Sequence, residues 1–313
     1  MLSLLDLPPF HLVRGLCLGI EFYEFSVRRG FALSLRELRG LVDVCSSGSG
    51  FASVNLGLGS ASVALDAGVC RVVVSGSSFN LSLEELRGLV ELLKPRDVVF
   101  YDGGSFNVIE VRAGRFYKLV GLDSEAPTLE VDGIHMHRVE GITPWDDARV
   151  KVEALAVRSG SRVLDVCTGL GYTAIHSLRR GAREVYTVEV DENVLAIASL
   201  NPWSWGLASD RIHLVLGDAF EVIREFSDNY FHYVIHDPPR LTKSTGELYS
   251  LEFYRELYRV LRPGGRLYHY TGEPGRVRGY NLPSRVASKL RSVGFLVKGY
   301  DRSIAGVIAF KPR

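Results

Sequence analysis

The sequence predicts an α/β protein: a seven-stranded, mostly parallel sheet with an antiparallel terminal strand, preceded by a smaller α+β domain. Three observations carry this. From Arg162 onward, the apolar runs RVLDV, EVYTVEV, RIHLVLG, HYVIHD and GRLYHYTG alternate with helical stretches, the rhythm of βαβ units whose sheet is covered on both faces. The chain then closes on GFLVKGY and AGVIAFKP, two strands joined through a polar turn around 301–303. In the first third, one pattern occurs twice: FALSLRELRGLV at 31–42 and FNLSLEELRGLV at 79–90.

Each copy of the repeat carries Ser-x-x-Glu at the start of an apolar-periodic run, Ser34 with Glu37 and Ser82 with Glu85. In such a capping box the serine oxygen and the glutamate carboxylate satisfy amides that a helix start leaves orphaned. Each copy therefore predicts a short helix, and together they point to an internal duplication. The segments VNLGLGSASVAL, RVVVSGSSF, DVVFY and FNVIEVRAGRFYKLVGL read as strands with glycine-rich turns. The text LDSEAPTLEVDG around 120–130 marks a boundary. We expect a duplicated α+β domain over 1–127, serving substrate positioning or formation of a homodimer, and a second domain over 128–313.

Composition excludes several classes. With 46% hydrophobic and 23% charged residues among 313, the chain has material for a real core and is not a disordered protein. The net charge is +1. Residues 1–145 carry 13 Lys/Arg against 17 Asp/Glu, a net of −4, and the remainder 24 against 19, a net of +5. That mild asymmetry suits an anionic ligand and does not by itself argue for nucleic acid. Cys17, Cys45, Cys70 and Cys167 include no C-x-x-C pair, so zinc fingers and a disulfide scaffold are not expected, and the cysteines read as reduced thiols of a cytoplasmic protein. Asp6 and Pro8-Pro9 interrupt the apolar N-terminal stretch, and there is no uncharged apolar run of membrane-spanning length. Neither a signal peptide nor a membrane span is expected.

The second domain carries the chemistry. Its first strand runs into a glycine turn, Asp165-Val-Cys-Thr-Gly-Leu-Gly171, and a helix follows to about Arg180, closed by Gly181. Glycine allows close approach of backbone to ligand, and the helix start offers free amides to negative charge. Glu189 ends the second strand, where an acid can hold both ribose hydroxyls of a nucleoside. Asp218 ends the third, where a carboxylate can accept from an adenine amine, and Asp237-Pro238-Pro239-Arg240 ends the fourth. Features at successive strand C-termini converge on one rim, where open α/β sheets bind ligands.

In this order the glycine turn, Glu189, Gly217-Asp218, Asp237-Pro238-Pro239 and Leu261-Arg-Pro-Gly-Gly265 resemble the class I S-adenosylmethionine-dependent methyltransferases, over about Val131 to the C-terminus. The DPPR form is similar to predicted archaeal methyltransferases. The resemblance implies a Rossmann-like sheet and S-adenosylmethionine as cofactor. It implies that Asp165 orders the glycine turn and faces the methionine amino group. Thr168, Gly169 and Gly171 would line the methionine part, Glu189 would hold the ribose, and Asp218 with Ala219 the adenine. Such families usually have glycine where this chain has Cys167, so backbone approach is less free there.

Asp237-Pro238-Pro239 resembles the acceptor motif of nitrogen-directed methyltransferases. There the first side chain and the following carbonyl accept hydrogens from an amine and aim its lone pair at the methyl group. Asp237, Pro238 and Arg240 are the catalytic candidates. Arg240 replaces an aromatic; it could stack, bind an anionic acceptor bidentately, or pair with a structural acid. Carbon-directed RNA methyltransferases with a downstream nucleophilic cysteine do not fit, since no cysteine follows Cys167. Trp203, Trp205, Tyr249, Phe253 and Tyr254 could wall the acceptor pocket, although the helical spacing from Tyr249 to Leu257 also suits core packing. His236 and His269 read equally as proton acceptors or as buried strand histidines. His135 and His137 lack a third ligand for a metal. The acceptor stays open among RNA, protein and metabolite. Aminopropyl transfer of the polyamine-synthase type and a non-catalytic cofactor-binding module are the alternatives.

Overall fold

A computed structural model describes residues 12–14, 20–122, 126–243, 245–272 and 281–313. The chain folds as two compact units: one holds Met1–Pro8, Ser26–Pro144 and Asn193–Trp205, the other Pro9–Phe25, Trp145–Glu192 and Gly206–Arg313.

The second unit is built on one seven-stranded sheet. Its strands are β1 (Arg162–Val166), β2 (Glu184–Glu189), β3 (Ile212–Leu216), β4 (Phe231–His236), β5 (Leu261–Tyr270), β6 (Leu296–Asp301) and β7 (Gly306–Phe310). The order is β3-β2-β1-β4-β5-β7-β6. The first five pair in parallel, while β7 runs antiparallel to both β5 and β6. The expected terminal hairpin is therefore formed, and Ser303 N–H and hydroxyl both donate to Asp301 across its turn. The order steps out from β1 in both directions, so the C-termini of β1 and β4 lie side by side. Helix α1 (Pro144–Leu155) precedes β1, α2 (Tyr172–Arg179) follows it, and α3 (Leu251–Val260) precedes β5. Gly181, at φ +91°, closes α2 as expected. Leu164, Val166, Val188, Val234, Phe253, Leu257 and Leu267 belong to one buried core that helix and sheet share. Leu261-Arg-Pro-Gly-Gly265, expected before the fifth strand, opens β5 with a shift of register against β4.

The first unit forms the helix expected from each repeat and places a strand directly before it. Phe31–Ser34 is a strand leading into the helix Leu35–Ser46, and Ser77–Ser82 is a strand leading into the helix Leu83–Leu92. Equivalent positions are buried in one core: Phe31 with Phe79, Leu33 with Leu81, Leu38 with Leu86. The Phe31 and Phe79 rings lie 5.3 Å apart. The copies differ at their caps. Ser34 and Glu37 form the full reciprocal box, whereas at the second helix the bond runs from Glu85 N–H to the Ser82 hydroxyl.

Three expectations change. Strand Thr128–Val131 pairs with Arg115–Val120 in a sheet of the first unit, so that unit runs past 127 to Pro144. The antiparallel pair of Leu12–Arg14 with Glu21–Tyr23 belongs to the second unit, where the Phe22 ring lies tilted against Tyr186 and His213, with centroids 6.3 and 5.5 Å away. Cys45 and Cys70, read as reduced thiols, are joined as a disulfide with a Cα–Cα separation of 6.0 Å. Packing of helix against strand brings these fully buried residues within bridging range, which their spacing of 25 along the chain could not reveal. No described helix is long and apolar enough to cross a membrane.

Candidate active site

The rim of the second unit is formed by the turns that follow β1, β2, β3 and β4. After β1, Gly169 and Gly171 take φ of +55° and +76°, and Gly171 caps α2. A Cβ on Gly171 would stand 2.5 Å from Leu207, so glycine is required there by packing as well as by φ. Cys167 takes φ +70°, the left-handed region glycine favours, at a cost of about 1 kcal/mol for a residue with a Cβ. Burial pushes its thiol pKa up, and the surrounding acids Glu189, Asp237, Asp165 and Asp218 push it further. The thiol is therefore held protonated.

Asp165 is fully buried. Its carboxylate accepts from the hydroxyls of Thr173 (2.8 Å) and Thr187 (2.9 Å), and Thr187 also meets the Thr168 hydroxyl at 2.7 Å. Both oxygens are thus directed at the first turn of α2 and at β2. Burial raises its pKa to about 7 against the hydroxyl bonds that lower it.

Glu189 leans from the end of β2 over the glycine turn. One carboxylate oxygen accepts from Gly169 N–H (2.9 Å), the other from Val190 (3.0 Å) and Asp191 (3.1 Å). Three bonds leave acceptor capacity in a carboxylate with about four lone-pair sites. Burial raises its pKa, against these amides. Asp218 lies two residues past β3, where it caps the short helix Ala219–Val222 by accepting from Phe220 N–H at 2.8 Å. This pair of hydrogen-bond acceptors, a carboxylate over a glycine turn and a second just past the adjacent strand, fits a nucleoside with an amino-acid tail.

Asp237 follows β4 directly, and its N–H donates to Val166 O at 3.4 Å, so the acceptor loop borders the glycine turn. Its carboxylate is not alone. Lys151, on α1, places Nζ 2.7 Å from Asp237 and 2.7 Å from Asp147. Lys151 was not legible as a site residue, because 86 positions separate it from Asp237. The loop continues through buried Pro238 to exposed Arg240. Tyr249 donates to Pro239 O (2.8 Å), and Thr245 donates to Arg240 O (2.8 Å).

The remaining candidates divide. Tyr249, Phe253 and Tyr254 are core residues, 3%, 0% and 0% exposed. His236 and His269 are fully buried neighbours on paired strands, with rings 4.4 Å apart. His236 Nε2 meets Leu248 O, while His269 bridges the Tyr254 hydroxyl and Tyr270 O. Burial lowers the His236 pKa to about 4 and that of His269 well below the usual value. Both are neutral structural imidazoles. In the first unit, Trp203 donates to Leu56 O and Trp205 to Ser199 O. His135 lies 3.3 Å from Glu130, and His137 contacts the Thr128 hydroxyl. No group of metal-ligating side chains occurs among the described residues.

Residues 163–265 match the family model of a methyltransferase domain. The chain is 47% identical to the uncharacterized protein MJ1233 of Methanocaldococcus jannaschii over 218 residues, 69% of this chain and 74% of that one. The chain belongs to the class I S-adenosylmethionine-dependent methyltransferase superfamily, and within it to the family of that archaeal protein. Its cofactor is S-adenosylmethionine. More distantly it is 28% identical to the polyamine aminopropyltransferase of Aeropyrum pernix, over 68% of this chain and 69% of the relative. It is also 28% identical to ribosomal RNA large subunit methyltransferase I of Photobacterium profundum, over 49% of this chain. The chain spans only 40% of that relative's length. A crystal structure of spermidine synthase shares the fold, with a TM-score of 0.53 at 20% identity over 69% of this chain and 73% of that one.

Proposed function

We propose that the protein transfers a methyl group from S-adenosylmethionine to a nitrogen of an acceptor, with Asp237 and the carbonyl of Pro238 orienting that nitrogen. The observation that carries this reading is the place of Asp237: one residue beyond β4, bonded to the end of β1, beside the glycine turn. The cofactor supplies an electrophilic methyl group; the protein's work is to hold and aim. Glu189 holds the ribose, Asp218 with Ala219 the adenine, and Thr168, Gly169 and Gly171 line the methionine part. Asp237 accepts N–H hydrogens from the acceptor, which directs the nitrogen lone pair toward the rim, and positioning of this kind supplies much of a transfer rate. Arg240, exposed at the loop tip, binds an anionic part of the acceptor. The first unit positions that acceptor or pairs with a second copy.

RNA is the acceptor class to test first, since similarity to ribosomal RNA methyltransferases supports it. The full chain is incubated with cell extract and S-adenosylmethionine labelled on its methyl group, and label is sought in RNA, protein and small molecules. Asp237→Ala should lower kcat by about 10²–10⁴-fold and leave cofactor affinity unchanged. Arg240→Ala should raise KM more than it lowers kcat. A fully active Asp237→Ala protein would remove Asp237 from the reaction.

Aminopropyl transfer is the second reading, supported by the Aeropyrum pernix relative, whose similarity covers two thirds of both chains. Polyamine synthases hold their amine with an acidic pair. Here Asp147 and Asp237 form such a pair, but Lys151 occupies it, and this favours methyl transfer. Aminopropyl transfer predicts turnover of decarboxylated S-adenosylmethionine with putrescine and none with S-adenosylmethionine.

A further inference from the structure

We propose that Lys151 is a positioning residue, whose ammonium, shared between Asp147 and Asp237, fixes the direction in which the Asp237 carboxylate faces the acceptor. This rests on the reading that Asp237 orients the acceptor nitrogen.

The sequence of restraints runs from helix to loop. Asp147 and Lys151 lie four residues apart on α1, so the helix alone brings their side chains together. Asp147 is 1% exposed and Lys151 6% exposed at the side chain. The Tyr270 and Tyr268 rings lie 4.9 and 5.9 Å from Nζ, and Tyr268 is itself tied by its hydroxyl to Ile304 O at 2.8 Å. Aromatic faces of this kind favour a cation. The ammonium is thus held by its own helix and by β5 before Asp237 is considered.

Asp237 is the member that gains. Pro238 and Pro239 fix backbone φ after it but do not set its side-chain torsions, on which the bond from Lys151 Nζ at 2.7 Å acts directly. A buried ion pair is weak evidence for stability, since apolar groups of the same volume often serve as well. A helix that needed only to bury a lysine would be served by Asp147. The second carboxylate, on a loop at the cofactor rim, is what a stability device does not require. Charge acts in the same direction. The ammonium sets a positive charge against both carboxylates, and the buried Asp165 carboxyl feels Asp237 and Lys151 as well.

The test uses the full chain, S-adenosylmethionine labelled on its methyl group, and extract of cells that lack the gene. Lys151→Met should lower kcat by about 10²-fold, with cofactor affinity by calorimetry within about twofold of wild type. Without the ammonium, two facing carboxylates hold a proton more tightly. The acid limb of the Lys151→Met rate profile should therefore move to higher pH by about one unit or more. Asp147→Asn leaves the ammonium wholly to Asp237, and its acid limb should not move up. Structural damage alone would lower activity in both variants without this opposition. If Lys151→Met does not fold, Lys151→Arg replaces it. Arginine keeps the charge but not the geometry, so turnover should fall with the acid limb in place. Superposable profiles of wild type and Lys151→Met, beside an inactive Asp237→Ala, overturn the role of Lys151 and leave the methyl-transfer reading standing. Activity in Asp237→Ala, or no labelled product from wild type, overturns the reading and the role together.

Discussion

The two compact units bury different things. The repeat-built unit fills its core with Phe31, Phe79, Leu33, Leu81, Leu38 and Leu86 around the Cys45–Cys70 disulfide. Its buried Glu37 is spent on local structure, accepting from Ser34, Ser53 and Gly57. The sheet unit buries Asp165, Glu189, His236 and His269 at or near strand ends, and Asp147 and Lys151 on α1. Removing ionisable groups from water is costly unless they are paired. The first unit also buries Asp97, paired with Lys118, but the sheet unit gathers several such groups along one rim, which is where function is placed. The pKa shifts of Cys167, Asp165 and His236 fall in the sheet unit for the same reason.

The largest effect that could break this contrast is in the apolar core. Leu38 and Leu86 are equivalent in the repeat and both fully buried. Leu38→Ala and Leu86→Ala should each cost about 2–5 kcal/mol in denaturant unfolding, with cofactor affinity retained. Loss of cofactor binding in a folded variant would show that the division of labour is wrong.

Acid should test the sheet unit. His236 and His176, with pKa lowered to about 4, and His269, lowered well below the usual imidazole value, bind fewer protons folded than unfolded between about pH 6.5 and 4. Their contribution to stability is present at neutral pH and lost as pH falls through that window. Asp165, raised to about 7, acts oppositely: the folded state holds its proton, so acidification below 7 favours folding through this group. Three histidines act against Asp165 and Glu189, whose pKa burial also raises, and the expected balance is a net loss. Thermal melts from pH 7 to 4 should fall, and should fall further in Asp165→Asn, where the opposing contribution of Asp165 is gone.

Smaller effects sharpen the picture. Glu189→Ala should weaken S-adenosylmethionine binding by about 1–3 kcal/mol, read by calorimetry, with little change in the melting of the first unit. At the small end, Ser34→Ala should cost about 1 kcal/mol, and Ser82→Ala less, because only the Ser34 cap is a complete reciprocal box set in partly buried surroundings. Equal losses at both caps would mean that the copies have not diverged in this respect.

A deletion of residues 1–120, which a boundary near 127 would suggest for isolating the cofactor domain, is the wrong cut. It removes Ile20 and Phe22, which pack in the core of the sheet unit. Removal of the repeats alone, beginning at Ser26, respects the compact units.

What the sequence by itself determined was local in origin. The βαβ rhythm, the terminal hairpin, the helices of the two repeats, the glycine turn and the acids at Glu189, Asp218 and Asp237 all follow from periodicity, capping and turn chemistry within a few residues. Such preferences survive into the fold because they need no distant partner to be satisfied. Tertiary structure decided what each group is paired with. It gave Asp237 to Lys151, Asp165 to two threonines, Cys45 to Cys70, and the strand pair of Leu12–Arg14 with Glu21–Tyr23 to the sheet unit. It also turned His236 and His269 from candidate bases into buried neutral packing. Burial and partner choice depend on which segments meet across the chain, and no spacing within one segment records that.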